Sequence, residues 1–213
     1  MAAFMEEQLD LPLRAVLARM QERILTQTTY FGIPALKNPL DHWIYQELIH
    51  ATRPDVIIEI GNAYGGSALA LAHLCDLMGH GRVIGLDLSH QAVPEAVRRH
   101  PRITFITGDA CTSFATVRNL IPDSARVLLI EDSAHTYAGT LQVLRTFSPL
   151  LQPGDYFIVE DSICHHGLEV GPQPGPYEAI ETFLMENRNF ESDRNREAFL
   201  ITWNPKGYLK RIT

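Results

Sequence analysis

No stretch of the 213-residue chain approaches the roughly 20 consecutive apolar residues that a membrane-spanning helix requires. Cysteine is scarce: Cys75, Cys111 and Cys164 are widely spaced and odd in number. That excludes a disulfide framework and a four-cysteine zinc site, and it suits a reducing compartment. Positive charge is short as well. Eighteen Lys and Arg against 25 Asp and Glu give a formal net charge of −7, and no dense basic cluster offsets it. Such a field repels phosphate backbones, so nucleic acid is not an expected partner. The opening residues turn acidic at Glu6 and Glu7 before an apolar core of signal-peptide length, and the cytoplasm is the expected location. Neither an internal repeat nor a low-complexity segment is present.

What is there is globular. A hydrophobic fraction of 46% with 20% charged residues rules out disorder and fibrous repeats, and the length suits one domain. A single domain is therefore expected over 1–213, with a helical cap at 1–52 and an α/β core at 53–213. Leu9, Leu13, Val16, Leu17, Met20 and Ile24 recur at helical spacing between charged residues, which predicts an amphipathic helix over 5–27. Its stripe has no obvious seat on a sheet, so packing against a second copy of the chain, a homo-oligomer, is one expectation. A second helix is predicted from Asp41 to Thr52, ended by Arg53-Pro54.

From Asp55 onward short apolar runs alternate with helical stretches. Strands are predicted near 55–60, 82–87, 103–107, 126–131 and 155–160, with helices near 66–78, 90–99, 111–120 and 136–150. The runs VIIEI (56–60), VLLIE (127–131) and YFIVE (156–160) are almost wholly apolar, as strands buried on both faces should be. This alternation predicts a Rossmann-like α/β fold with a mostly parallel sheet. A helix over 177–187 and a run at 198–203, followed by Asn204-Pro205-Lys206-Gly207 and YLKRI, predict an antiparallel hairpin at the sheet edge.

Each of five successive strands ends in or just before an acidic residue: Glu59, Asp87, Asp109, Glu131-Asp132 and Glu160-Asp161. Ligands of open parallel sheets bind outside the carboxyl ends of the strands, so these side chains should converge on one crevice. A crevice so acidic favours a ligand that offers cations and hydroxyls. The first strand runs into Gly61-Asn62-Ala63-Tyr64-Gly65-Gly66-Ser67, spaced G-x-x-x-G-G. The dinucleotide fingerprint G-x-G-x-x-G would need a second glycine where Asn62 and Ala63 stand, and Glu59 would further repel a diphosphate. Asp87 lies about 20 residues beyond the turn, where a carboxylate can accept both hydroxyls of a ribose. Asp109, with Ala110, closes the third strand at the height of an adenine edge. Helix capping is the alternative role for either aspartate. Taken together, Glu59, Gly61, Asn62, Ala63, Tyr64, Gly65, Ser67, Asp87, Asp109, Ala110 and Asp132 read as a binding site for S-adenosylmethionine (SAM). The rival readings are a nicotinamide-dependent oxidoreductase and a SAM-binding scaffold put to another use.

Several segments together resemble a known group. They are FGIPALKNPLD (31–41), RPDVIIEIG (53–61) with Gly65-Gly66-Ser67, DSAH (132–135), VED (159–161) and GYLKR (207–211). They resemble the cephalosporin hydroxylase (CmcI-type) family of SAM-dependent O-methyltransferases over about residues 30–211. The resemblance implies a class I methyltransferase fold, methyl transfer to a hydroxyl of a natural product or sugar, and often a bound magnesium ion. Metal-dependent members commonly carry D-x-D after the fourth strand, whereas the second position here is Ala134.

On their own chemistry, Asp132, Glu160 and Asp161 make an oxygen-rich site suited to Mg²⁺, which would acidify an acceptor hydroxyl. Without metal, His135 oriented by Asp132 or Glu160 is the candidate general base. Capping of following segments is the alternative for the carboxylates, and a surface position for His135. Cys164-His165-His166 does not read as a zinc site, because adjacent residues rarely point at one ion. The Gly- and Pro-rich stretch 165–176 reads as a flap from which His165 and His166 touch the acceptor. Lys37, with Tyr30, Phe31 and Trp43, closes the cleft from the N-terminal side or joins the core. A small-molecule acceptor is the expected partner.

Overall fold

Successive side chains of each strand point to opposite faces of the sheet, and that alternation divides the interior into two layers. In the computed structural model, which describes residues 4–7 and 9–213, the elements run in the following order. A 3₁₀ turn (Met5–Glu7) precedes α1 (Leu13–Gln27), the short strands β1 (Thr29–Tyr30) and β2 (Ile33–Pro34), and α2 (Pro39–Thr52). The core follows as β3 (Val56–Ile60), α3 (Gly66–Met78), β4 (Arg82–Asp87), α4 (Glu95–Arg98), β5 (Ile103–Thr107), α5 (Phe114–Asn119), β6 (Val127–Glu131), α6 (Tyr137–Phe147) and β7 (Tyr156–Val159). The chain closes with α7 (Pro176–Glu186), β8 (Phe190–Ser192) and β9 (Tyr208–Arg211).

The seven-stranded sheet has the order β5-β4-β3-β6-β7-β9-β8, parallel from β5 to β7 and antiparallel at β9 and β8. Val56, Ile58, Ile60, Leu129 and Phe157 face one layer, packed with Val117 of α5, Leu144 and Phe147 of α6 and Phe183 of α7. Ile57, Leu128, Ile130 and Ile158 face the other, with Leu48 of α2 and Leu71 of α3. Both faces are covered, which is why these strands read as unbroken apolar runs.

The predicted strands and most helices stand where the patterns put them, with three differences. The first helix begins at Leu13 rather than residue 5, because Pro12 occupies the position before its first turn; Leu9 is exposed outside it. The stripe of α1 does find a seat within the chain, Leu17 and Ile24 packing with Ile163, Leu168 and Trp203. Residues 90–99 hold only the single turn α4, bounded by Pro94 and by Pro101 after His100.

The third difference is the run at 198–203, which is not a strand. The antiparallel partner of β9 is β8, and β9 lies between β7 and β8. Hydrogen bonding to a buried carboxylate takes 202–203 out of the ladder. Asp41 accepts from the Thr202 hydroxyl, from the Trp203 amide at 2.8 Å, from Tyr208 Oη at 2.9 Å and from Asn38 Nδ2 at 2.9 Å. This node ties α2 to the segment carrying Trp203, and burial still raises the Asp41 pKa against the four donors. Asp41→Ala strands four buried donors at once and should cost about 3 kcal/mol or more, read as a lowered urea midpoint at unchanged m-value.

Candidate active site

The order of strands reverses between β3 and β6, and a crevice opens at that switch point. A cavity of about 520 Å³ lies there, reaching from the β4 and β5 ends across to Asp132–His135 and Asp161, under Gln21 and Leu25 of α1.

Its floor is the turn after β3. Gly61 has φ +90°, and a Cβ built on it would stand 2.0 Å from the Asp132 carbonyl oxygen. Only glycine lets the ends of β3 and β6 come this close. Gly66 lies so near the Pro34 carbonyl (2.3 Å to a built Cβ) that the start of α3 is locked against β2. The Asn62 and Ala63 amides point across the cleft and donate to Asp87 Oδ2 at 2.7 and 3.0 Å. Asp87 thus fixes the turn and presents its carboxylate to the cavity.

Glu59 is fully buried beneath the turn. It accepts from Ser67 Oγ and from Asn62 Nδ2 at 2.8 Å, and lies 3.6 Å from Lys37 Nζ. Its place is under the binding surface rather than on it. Of the predicted cofactor-binding set, Gly61, Asn62, Ala63, Ser67, Asp87, Asp109, Ala110 and Asp132 line the cavity, and Glu59, Tyr64 and Gly65 do not. Asp109 also serves the local turn, accepting from the Thr112 amide at 2.9 Å.

At the other end Lys37 draws three strand ends together. Its ammonium donates to Asp132 Oδ2 and to Glu160 Oε1, the latter at 2.6 Å. Burial pulls the lysine pKa down, but the charges of Asp132, Glu160 and Glu59 outweigh it, so the group stays cationic well above the usual lysine range. Burial raises the Asp132 carboxyl to about 6 even though Lys37 pulls it down, with Asp161 adding repulsion. Glu160 is pushed well above the usual glutamate range by burial and by the charge of Asp132. Lys37 therefore sits as an internal counter-ion that also lines the cavity.

His135 adopts φ +54° and turns Nε2 to within 3.4 Å of Asp161 Oδ2 and 3.9 Å of Asp132 Oδ1. One potential ligand atom from each of Asp132, His135 and Asp161 lies within 4.8 Å of the others. Glu160 is turned toward Lys37 instead and does not line the cavity.

His165 and His166 lie away from the cavity lining. His166 pairs with Glu178 at 2.8 Å and stacks on Tyr177, while His165 Nε2 lies 3.1 Å from the Gly171 carbonyl oxygen. Phe31 and Trp43 are exposed, and Tyr30 Oη is 3.2 Å from His73 Nδ1. The cavity also uses residues that no motif marked: Gln21 and Leu25 of α1, Cys111, Gln142 and Trp203. Buried His90 was likewise unmarked. It braces the turn, with Nε2 3.2 Å from Asn62 Oδ1 and Nδ1 2.9 Å from Thr107 Oγ1.

An open sheet of this order, with a glycine turn and a carboxylate one strand over, defines the class I methyltransferase architecture. Comparison with known proteins carries this further. The profile of the family described as Rhamnosyl O-methyltransferase/CmcI matches residues 22–212. A rhamnosyl O-methyltransferase of Mycobacterium bovis (strain BCG / Pasteur 1173P2) is 36% identical over 197 residues, 88% of this chain and 80% of that protein. The enzyme of the same name from Mycobacterium leprae (strain TN) is 36% identical over 194 residues, 86% of this chain and 83% of that protein. A solved CmcI structure with Mg and SAM superposes with a TM-score of 0.69 at 27% identity, covering 87% of this chain and 77% of that one. The chain belongs to the Rhamnosyl O-methyltransferase/CmcI family, and it is a SAM-dependent O-methyltransferase. Among the described residues no helix is long and apolar enough to cross a membrane.

Proposed function

We propose that this enzyme methylates a hydroxyl of a sugar or sugar-bearing natural product, with SAM held between the glycine turn and Asp87 and the acceptor held at Asp132, His135 and Asp161. The observation that carries this reading is one cavity joining the turn to the cluster of two carboxylates and an imidazole. The relatives named rhamnosyl O-methyltransferases support a sugar hydroxyl as the acceptor group.

The acceptor oxygen attacks the methyl carbon, and the C–S bond breaks with its electron pair going to sulfur. The sulfonium becomes neutral S-adenosylhomocysteine, and the hydroxyl proton passes to the cluster, where His135 Nε2 takes it when no ion is bound and a carboxylate oxygen free of the ion takes it otherwise. Alignment of oxygen, carbon and sulfur supplies much of the rate. Carboxylates beside a sulfonium also stabilise the cofactor before transfer.

The cluster fits a divalent cation by its donor chemistry, Asp132, His135 and Asp161 being the residues that would hold it. Such an ion lowers the pKa of a bound hydroxyl. A CmcI structure contains Mg with SAM, which supports a cation as a partner in this site too.

Incubation with SAM and simple alkyl rhamnosides, followed by mass spectrometry, tests the reading: a singly methylated glycoside is expected, and turnover of amine or thiol acceptors with no glycoside product would overturn it. The acid limb of kcat/KM should fall near pH 6. The Asp132 pKa is raised to about 6 by burial, so the protonated, inactive form gains population below that value and the ionised form prevails above it.

A further inference from the structure

The donor atoms around the acceptor end are not those of a hard, all-oxygen site. Ala134 lines the cavity and offers no donor. Glu160, the third carboxylate of the neighbourhood, spends Oε1 on the Lys37 ammonium and stands outside the cavity lining. Asp132 shares Oδ2 with the same ammonium and leaves Oδ1 toward His135. The third inward donor is a nitrogen, Nε2 of His135, 3.4 Å from Asp161 Oδ2. These residues are the one group among the described residues whose ligand atoms gather within 4.8 Å. Ligand atoms about 2.0–2.2 Å from a shared ion lie roughly 3–4.5 Å from one another, so the observed spacing needs little adjustment.

We propose that Asp132, Asp161 and Nε2 of His135 bind a divalent transition-metal ion of the Mn, Co or Zn class in preference to Mg²⁺. Magnesium requires near-octahedral oxygen coordination and gives up water reluctantly, so replacing a carboxylate by an imidazole costs it affinity. Zinc accepts imidazole nitrogen readily, and affinity for a mixed nitrogen and oxygen site rises from manganese through cobalt in the first-row series, so manganese is the weakest member of the class and the most stringent probe of it. Lys37 acts in the same direction, because an ammonium already balancing Asp132 and Glu160 lowers the net negative charge on which a hard ion depends. The proposal deepens the methyl-transfer reading by assigning the ion that serves it, and its test does not depend on turnover.

The test uses the full-length enzyme stripped with EDTA and saturated with S-adenosylhomocysteine. Mn²⁺ is titrated by electron paramagnetic resonance with Mg²⁺ as competitor, and pulsed measurements look for imidazole nitrogen coupled to the bound manganese. One tight Mn²⁺ site is expected, at least about tenfold tighter than Mg²⁺ and with a single nitrogen coupling. His135→Ala should abolish that coupling and weaken Mn²⁺ about tenfold or more. Glu160→Gln should leave the coupling in place and the Mn²⁺ affinity within about threefold. Circular dichroism and S-adenosylhomocysteine binding report whether each variant is folded. Mn²⁺ binding without nitrogen coupling, equal affinity for Mg²⁺, or no bound Mn²⁺ would each overturn the proposal. If methyl transfer survives any of these outcomes, the ion assignment falls alone; if S-adenosylhomocysteine does not bind, the methyl-transfer reading falls, while the manganese titration of the same protein still reports on the ion.

Discussion

Asp87→Ala is expected to weaken S-adenosylhomocysteine by about 100-fold or more, with the protein still folded. The carboxylate closes β4 at the mouth of the cavity and holds the Asn62 and Ala63 amides at 2.7 and 3.0 Å. In the proposed binding mode its loss would remove two charge-assisted hydrogen bonds to the ribose hydroxyls, and it frees the turn whose two amides the carboxylate holds. Hydrogen bonds to a charged group contribute about 1.5–3 kcal/mol each, and 1.4 kcal/mol is a factor of ten. Asp87→Asn keeps the shape and the acceptor oxygen but not the charge, so it should fall between the wild type and alanine. Calorimetry on the three proteins measures this. Equal affinities across the series would place the ribose elsewhere.

Lys37→Met should be the most damaging single change to the acceptor end. The buried ammonium balances Glu59, Asp132 and Glu160, with 10% of its side chain exposed. Breaking a buried ion pair by removing one partner costs about 3–5 kcal/mol, because the remaining charge has no water to recover. Denaturant unfolding should show that loss, and methyl transfer should disappear with it. The double variant Lys37→Met with Glu160→Gln removes one of the stranded carboxylates and should recover roughly half of the stability. A Lys37→Met protein within 1 kcal/mol of wild type would mean that the three acids protonate at little cost, contrary to a lysine that stays charged.

The amino-acid pattern carried the architecture well because buried parallel strands leave a direct trace. VIIEI, VLLIE and YFIVE are apolar on both faces and became β3, β6 and β7 with their acidic ends in one crevice. The glycine turn was readable for a related reason, since the close approach of Gly61 to Asp132 permits no side chain. What the pattern hid was the partner each polar group chooses. Glu59 and Lys37 both belong to the site's chemistry, yet Glu59 works from beneath the turn, and Lys37 pairs with carboxylates from three strand ends. No local spacing encodes contacts between residues 95 and 123 positions apart.

The run 198–203 was misleading for a similar reason. Its apolar residues looked like a strand, but Thr202 and the Trp203 amide bond to Asp41, a carboxylate more than 160 residues earlier in the chain. Trp203, Gln21 and Leu25 reach the cavity through such long-range packing and left no motif. His165 and His166 show the converse: a suggestive sequence cluster whose partners are Glu178, Tyr177 and the local loop.

The most direct test is a crystal structure of the enzyme grown with SAM and a rhamnoside acceptor. The ribose is expected on Asp87, with the sulfonium methyl group directed at an acceptor oxygen that lies within hydrogen-bonding reach of His135 or Asp161. A methyl group pointing away from that cluster, or an acceptor bound outside the cavity that Asp132 and Gly61 frame, would contradict the account.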